Sequence, residues 1–305
     1  MEIRRLEGLI AASFTPYRKG SVHPEAIPAY AAALRREGLA GVFVNGTTGE
    51  SLSLSTAERR ELAEAWLQTA RPDFPVLVHV GHNSLPCAQA LAAHAADHEA
   101  RAISAMAPTF FRPDLAGLVD FLAEIAAAAP RTPFYYYHMP SMTGARFPME
   151  DFLRAAVKKI PNLAGVKYTW EDLEDYARAV RFDGGRFDIV FGRDEILLDG
   201  LGNGARAAIG STYNAAAPIY LGVWRAWREG RLEEARELQL QAMQMIEACR
   251  GTGWSDLPAI RALAAQRLGV EFGPPRAPLV AVRAEALAPI FRKVEKILTG
   301  LAQTG

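Results

Sequence analysis

The feature that most constrains the fold of this chain is a regular alternation of short apolar segments with longer amphipathic ones. Eight apolar segments, each bounded by turn residues, begin at Gly8, Gly41, Pro75, Ala102, Pro133, Gly165, Asp188 and Ala207. Most of them are apolar throughout and do not alternate with polar residues. This pattern is typical of strands that are buried on both faces of a parallel sheet.

The segments between these strands have the spacing and the end signals of helices. One begins at Pro24 and places Tyr30 and Leu34 about one turn apart. Another begins with Ser55 and Glu58, the residue pair of a capping box. A strand followed by a helix, repeated about eight times, predicts an α/β fold, the (β/α)8 TIM barrel, more readily than an open sheet.

The alternative, an open doubly wound sheet, would often carry a glycine-rich phosphate-binding motif. The segment GLGNG (200–204) is rich in glycine, but it precedes an apolar strand instead of following one, which is the wrong context for nucleotide binding. After residue 222 the chain is mostly helical. We therefore expect a barrel carrying the active site at residues 1–222, and C-terminal helices at 223–305 that pack on it within one structural unit.

Composition excludes several classes of partner. Among 305 residues, 34 are Lys or Arg and 34 are Asp or Glu, so no basic field is available for nucleic acid or an anionic membrane surface. No apolar run approaches the length of a membrane span, and the stretch at 9–14 is shorter than a signal-peptide core. Cys87 and Cys249 follow no metal or redox spacing. We expect a soluble cytoplasmic protein with reduced thiols.

Polar residues collect where the predicted strands end, and in a barrel of this type the chemistry lies at those carboxyl ends. Lys167 is the most informative, because it follows Gly165 and Val166 in an apolar strand, where a buried ammonium is costly. Desolvation favours the neutral amine, which can attack a ketone and form a Schiff base. The alternative is a lysine whose amine simply reaches solvent at the strand end.

Other strand ends offer groups that suit a hydroxylated acid. The turn GTTGE, with Thr47 and Thr48, supplies hydroxyls and backbone N–H groups for a small carboxylate, although it is also an ordinary turn before a helix. Asp194 and Glu195 are suited to hydrogen bonds with sugar hydroxyls, or to a negatively charged helix start. Ser211, after the last strand, is equally a helix N-cap.

The segment TPFYYYHMPSMTG (132–144) carries three consecutive tyrosines on one predicted strand. Because side chains alternate faces along a strand, Tyr135 and Tyr137 should share the barrel interior and Tyr136 should face the helices. We expect packing roles for Tyr135 and Tyr136, and chemistry for Tyr137, which lies last before the turn and one strand from Lys167.

Histidines offer a rival chemistry, a metal-dependent aldolase. His94 and His98 are four residues apart on one helix face, and His79 and His82 flank a Val-Gly pair, so divalent-metal binding is conceivable. No third ligand stands in an obvious motif, and the His94 helix is expected on the barrel exterior. A solvated helix face explains that pair better.

Five segments, taken together, resemble a known family. They are VFVNGTTGESLSLSTAERRELAEAW, PFYYYHMPSMTG, GVKYTWEDLEDYA, FGRDEILLDGLGNGARAAIGSTYN and GPPRAPL. In order and spacing they are similar to the N-acetylneuraminate lyase subgroup of the dihydrodipicolinate synthase and pyruvate-aldolase superfamily. The resemblance runs from about Leu9 into the C-terminal helices and so covers nearly the whole chain.

The resemblance implies a class I aldolase that cleaves N-acetylneuraminate reversibly to pyruvate and N-acetylmannosamine, with no cofactor and no metal. Lys167 would form the Schiff base with C2 of the 2-oxo acid, and Tyr137 would take the proton of the C4 hydroxyl. Thr47 and Thr48 would hold the carboxylate, with Thr48 also close to Tyr137. The positions that would contact the sugar are Thr169, Gly192, Asp194, Glu195 and Ser211. A homotetramer, common in the superfamily, is expected.

Three residues depart from patterns of the superfamily. Met142 stands where dihydrodipicolinate synthases carry an arginine, which argues against that activity. Phe110 and Phe111 stand where many members supply a relay tyrosine across a subunit interface, and neither can pass a proton. The alternatives are an aldolase or dehydratase for another 2-oxo sugar acid and, from a different class, a barrel that binds a 2-oxo acid without turnover.

Overall fold

A computed structural model describes residues 3–250 and 255–304, and within these ranges eight parallel strands close into a barrel. The strands are β1 (Gly8–Ala12), β2 (Gly41–Val44), β3 (Val76–His79), β4 (Ala102–Met106), β5 (Phe134–His138), β6 (Leu163–Tyr168), β7 (Asp188–Phe191) and β8 (Ala207–Gly210). Each pairs with its neighbours in chain order, and β8 closes the barrel against β1. The predicted TIM barrel is confirmed, and every strand coincides with one of the apolar segments.

Helices follow the strands and form the outer layer. They are α1 (Ile27–Arg36), α2 (Thr56–Leu67), α3 (Leu85–Asp97), α4 (Leu115–Ala127), α5 (Met149–Ala156), α6 (Leu173–Gly185), α7 (Leu197–Gly202), α8 (Tyr213–Arg228), α9 (Leu232–Arg250), α10 (Leu257–Leu268) and α11 (Ala284–Thr304). Short 3-10 turns at Pro24–Ala26, Ser51–Ser53 and Asp194–Ile196 and a single helical turn at Pro140–Thr143 complete the connections. The predicted capping box is present at the start of α2, where Ser55 and Glu58 exchange hydrogen bonds.

The apolar core has two layers, as expected for a barrel whose interior is filled by side chains. The larger layer lies between the strands and the helices and includes Tyr136, which packs against Phe152 of α5. The smaller layer fills the barrel and includes Tyr135 and Tyr137. The alternation predicted for the tyrosine run is therefore confirmed.

One glycine allows two barrel strands to approach closely. A Cβ atom on Gly165 of β6 would lie 1.8 Å from the backbone oxygen of Asp188 on β7. Such a distance is far below van der Waals contact, so a side chain here would push the strands apart. The absence of a side chain at Gly165 therefore lets β6, which carries Lys167 two positions later, lie close to β7.

The C-terminal helices extend the barrel architecture. The boundary expected at residue 222 falls inside α8, which packs against both β1 and α9. Residues 1, 2, 251–254 and 305 of the two expected segments lie outside the described residues. Among the helices that the structure describes, none has the length and apolar character needed to cross a membrane.

Candidate active site

A cavity of about 220 Å³ opens at the carboxyl ends of the barrel strands. The structure brings every site residue expected from the sequence to the wall of this cavity. Those residues are Thr47, Thr48, Tyr137, Lys167, Thr169, Gly192, Asp194, Glu195 and Ser211. They come from the ends of five of the eight strands, so the fold brings together residues that are dispersed over 165 positions of the sequence.

Lys167 and Tyr137 are register partners on adjacent strands. The lysine Nζ lies 3.5 Å from the centre of the Tyr137 ring and 5.0 Å from that of Phe43. It also donates a hydrogen bond of 3.4 Å to Thr169 Oγ1. Only 4% of Lys167 is exposed, and within the described structure no carboxylate forms an ion pair with it. The amine is therefore desolvated and stands over aromatic faces.

Contacts with two neighbouring rings fix the orientation of the Tyr137 ring. Phe43 and His79 each pack edge to face against it, with ring centroids 5.6 Å and 5.7 Å away. Burial, reinforced by the positive charges of Arg59 and Lys167, lowers the pKa of His79 well below its ordinary value. His79 is thus a neutral ring whose Nδ1 lies 3.0 Å from the backbone oxygen of Ser104. A neutral partner adds no second positive charge beneath the lysine.

The turn after β2 presents its threonine hydroxyls to the same cavity. Thr47 Oγ1 lies 3.4 Å from Tyr137 Oη, whereas the resemblance had suggested Thr48 as the threonine next to this tyrosine. Among the hydrogen bonds of the described residues, the threonine partner of Tyr137 is Thr47. Thr48 is buried and lines the cavity without that contact.

A buried ion pair holds this turn in place. Glu50, in the left-handed conformation at φ 58°, pairs with Arg261 of α10 at 3.2 Å. The other carboxylate oxygen accepts the backbone N–H of Arg276 at 2.8 Å. Burial raises the pKa of Glu50, and the Arg261 charge opposes that rise. The C-terminal segments therefore support the strand-end turn that carries Thr47 and Thr48.

Asp194 lies at the wall of the cavity with its carboxylate turned into the protein. Its Oδ2 accepts two hydrogen bonds from Thr212, from the backbone N–H at 3.0 Å and from the hydroxyl at 2.5 Å. Its Oδ1 is buried and has no partner among the described residues. Burial, together with the nearby charge of Glu195, raises the pKa of Asp194 to about 6.

A group of charged residues forms another part of the cavity wall. Glu195 pairs with Arg250 at 2.5 Å and lies 3.6 Å from Arg193. Arg250 ends α9, and Asp256 at the start of α10 lies 3.9 Å from it. Glu195 is expected from the sequence, and Arg193, adjacent to Asp194, could be suspected, whereas Arg250 and Asp256 could not. The contribution of α9 and α10 carries no local signal, because both have the pattern of ordinary amphipathic helices.

Two groups singled out in the sequence lie away from the cavity. Phe110 and Phe111 are 87% and 81% exposed, and they do not line it. His94 and His98 lie on α3 in the outer layer, where Glu64 of α2 joins them. In the described part of the chain this is the one group of three or more His, Cys, Asp or Glu side chains with converging ligand atoms. None of the described residues that line the cavity belongs to such a group.

Comparison with known proteins identifies the family of the chain. The chain matches the model of the dihydrodipicolinate synthetase family over residues 5–297. It is 41% identical over 280 residues to the N-acetylneuraminate lyase of Xenopus tropicalis, which covers 90% of this chain and 91% of that protein.

Solved structures give the same result for the fold. The N-acetylneuraminate lyase of Proteus mirabilis superposes with a TM-score of 0.91 at 37% identity, over 96% of this chain and 99% of that one. A Ruminococcus gnavus sialic acid aldolase altered at its catalytic lysine superposes with a TM-score of 0.92 at 28% identity, over 98% and 97% of the two chains. Because the family model matches nearly the whole chain, and the relatives are similar over most of their length, the chain belongs to the dihydrodipicolinate synthetase family.

Proposed function

We propose that this protein is a Schiff-base aldolase that cleaves N-acetylneuraminate to pyruvate and N-acetylmannosamine, and that catalyses the reverse condensation. The observation that carries the proposal is the desolvated amine of Lys167 beside Tyr137, in a cavity lined by hydroxyl and carboxylate groups. The curated relatives, which bear the name N-acetylneuraminate lyase and match nearly the full chain, support this choice of substrate.

The reaction begins with attack of the Lys167 amine, in its deprotonated form, on C2 of the 2-oxo acid. Loss of water gives a protonated Schiff base, whose positive nitrogen withdraws electrons from C3. The C4 hydroxyl then gives its proton to the Tyr137 oxygen, while the tyrosine passes its own proton to the neighbouring Thr47 hydroxyl. The C3–C4 bonding electrons move into the Schiff base, so an aldehyde leaves and an enamine remains.

The proton that the relay carries from the C4 hydroxyl to the substrate carboxylate then moves to C3 of the enamine and restores the Schiff base. Hydrolysis by water releases pyruvate and the free lysine. The proposed relay uses Tyr137 and Thr47, which lie within the same chain. It needs no hydroxyl from Phe110 or Phe111, whose side chains cannot carry a proton. Departure of the Thr47 proton toward the substrate carboxylate completes the transfer without a further side chain.

The remaining residues of the cavity bind the two ends of the substrate. Thr47 and Thr48 hold the carboxylate, and Asp194 at the cavity wall contacts the sugar chain. Gly192 allows the Thr169 hydroxyl to keep its place at the wall, because a Cβ at position 192 would lie 2.2 Å from Thr169 Oγ1. Thr169, Glu195 and Ser211 are further partners for sugar hydroxyls along the wall described above.

We assign no metal or organic cofactor to this reaction, because the iminium nitrogen serves as the electron sink. We also propose a homotetramer in the cytoplasm, following the family resemblance. The exposed side chains of Phe110 and Phe111 are consistent with a surface that another subunit covers. Light scattering after size exclusion tests the assembly, and full activity after chelation with EDTA tests the absence of a catalytic metal.

A screen for pyruvate release tests the substrate. N-acetylneuraminate, its N-glycolyl analogue and shorter 2-oxo sugar acids are each incubated with the protein, and pyruvate is measured with lactate dehydrogenase. We expect release from N-acetylneuraminate and none from a Lys167→Arg variant, which keeps a cation but cannot form a Schiff base. Release from the shorter acids alone would contradict the named substrate while retaining the aldolase chemistry. No release from any of them would contradict the enzyme.

A further inference from the structure

A histidine pair on the outer helical layer converges on a carboxylate from the neighbouring helix. His94 and His98 are one turn apart on α3, and Glu64 lies on α2. His94 Nε2 is 2.8 Å from Glu64 Oε1, and His98 Nε2 is 3.9 Å from that same oxygen. One ligand atom from each of the three residues lies within 4.8 Å of those from the other two.

A hydrogen bond explains only part of this arrangement. The contact between His94 and Glu64 has the length of an ordinary hydrogen bond, but the 3.9 Å between His98 and Glu64 exceeds one. Both imidazole Nε2 atoms nevertheless point toward one carboxylate oxygen. A cation placed among the three residues would account for both histidines at once.

The distances suit a small transition-metal ion. Zinc binds histidine nitrogen and carboxylate oxygen at about 2.0–2.2 Å, and tetrahedral geometry then places neighbouring ligand atoms about 3.3 Å apart. The separations of 2.8 Å and 3.9 Å fall on either side of that value. Small rotations of the partly exposed side chains of His98 and Glu64 would therefore bring all three residues to coordination distance.

The second ring nitrogen of His98 is already engaged in a way that favours metal binding. His98 Nδ1 lies 2.9 Å from the backbone oxygen of His94, and since a carbonyl only accepts, Nδ1 must donate. The neutral tautomer with its hydrogen on Nδ1 leaves the Nε2 lone pair toward Glu64. Metal-binding histidines are usually oriented by this type of hydrogen bond from the other nitrogen.

We propose that Glu64, His94 and His98 form a site for one divalent transition-metal ion, with zinc as the probe, that links α2 to α3. Two imidazoles and one carboxylate suit zinc, and they leave one position for water because the side chains of His98 and Glu64 are 42% and 45% exposed. The site lies outside the barrel and shares no residue with the catalytic cavity. Its role is to stabilise the outer layer, and it takes no part in the aldol reaction.

Calorimetric titration of the full-length protein with zinc chloride, after removal of metals with EDTA, tests this site. We expect one zinc ion per chain and an increase in the melting temperature as zinc is added. His98→Gln and Glu64→Gln should each weaken zinc binding by at least about tenfold. Because His98 and Glu64 are partly exposed, these variants should fold as the parent does, with the parent's pyruvate release in the presence of EDTA.

A matched control is available elsewhere on the surface. His23 and Glu25 form a histidine–carboxylate pair at 2.8 Å but have no second histidine. His23→Gln should therefore leave zinc affinity and the thermal shift unchanged. The proposal is overturned if the parent shows no saturable binding, if His98→Gln and Glu64→Gln bind zinc as the parent does, or if His23→Gln weakens binding to the same extent.

Discussion

Lys167 of β6 stands over the ring of Tyr137 of β5, with its Nζ 3.5 Å from the ring centre. The amine proposed to form the covalent intermediate and the hydroxyl proposed to move the proton are therefore held on adjacent strands of the barrel. Aromatic contacts from Phe43 and His79 fix the tyrosine ring. Such fixed geometry contributes to catalysis by removing the cost of orienting the groups in the transition state.

Tyr137→Phe should slow cleavage without preventing Schiff-base formation. The change removes one oxygen and keeps the ring that packs against Phe43, so folding should be unaffected. Loss of a positioned proton acceptor lowers kcat by about 10²–10⁴-fold, which the pyruvate-release assay measures. Tyr136→Phe is the matched control, because its buried hydroxyl has no partner among the described residues and faces the helices. Near-normal turnover in Tyr137→Phe would refute the assigned role.

The two threonines of the turn should respond differently to replacement by valine, which has nearly the same shape. Thr47→Val removes the hydroxyl that contacts Tyr137, so kcat should fall. A hydrogen bond worth about 1.5 kcal/mol corresponds to about tenfold in rate. Thr48→Val should mainly raise the KM for pyruvate in the condensation direction. If Thr48→Val instead lowers kcat and Thr47→Val does not, the relay runs through Thr48 as the family resemblance implies.

Asp194→Asn should weaken substrate binding and stabilise the folded protein at high pH. Burial raises the pKa of Asp194 from 3.8 to about 6, so the folded protein holds this proton in a pH range where the unfolded chain has lost it. The loss of unfolding free energy caused by the buried charge grows as the pH rises from 3.8 to about 6. At higher pH this loss is about 3 kcal/mol. Asparagine carries no charge and should therefore stabilise the protein at pH 8, up to that amount.

Denaturant unfolding of both proteins at pH 4 and pH 8 checks this expectation. Near pH 4 Asp194 is protonated in the folded state, so the difference in unfolding free energy should nearly vanish. At pH 8 the variant should be the more stable protein and should have a raised KM for N-acetylneuraminate. Equal stability differences at the two pH values would show that the buried charge is not the cause.

Arg261→Met should destabilise the fold strongly, since it leaves the Glu50 carboxylate buried without its ion-pair partner. Both side chains are at most 4% exposed, and removal of one member of such a pair costs about 3–5 kcal/mol. Adding Glu50→Gln should recover part of that loss, because the remaining group is then uncharged. Urea unfolding of the single and double variants measures both effects. A double variant less stable than Arg261→Met would contradict this explanation.

Much of the fold and of the cavity wall follows from local sequence patterns. The apolar segments and caps predict the barrel, and strand alternation correctly assigns Tyr136 to the outer layer and Tyr137 to the interior. Residues at strand ends, such as Lys167 and Asp194, can be placed together because parallel strands end at one face of a barrel.

Other contacts in the structure cannot be predicted from local sequence patterns. Arg250 reaches Glu195 across 55 positions, and Glu64 meets His94 across 30. These contacts depend on how whole helices pack, and the apolar pattern of a helix indicates its buried face without indicating which polar residue it will meet. The proximity of Thr47, instead of Thr48, to Tyr137 likewise depends on the backbone conformation of a turn held by Glu50 and Arg261.

Reduction with sodium borohydride in the presence of pyruvate, followed by peptide mass spectrometry, tests the central claim most directly. Borohydride converts a Schiff base to a stable amine, so the account predicts one reduced pyruvyl group per chain on the peptide that contains Lys167. Activity should be lost in parallel, and Lys167→Arg should show no adduct. Full activity after this treatment, or an adduct confined to other lysines, would contradict the mechanism.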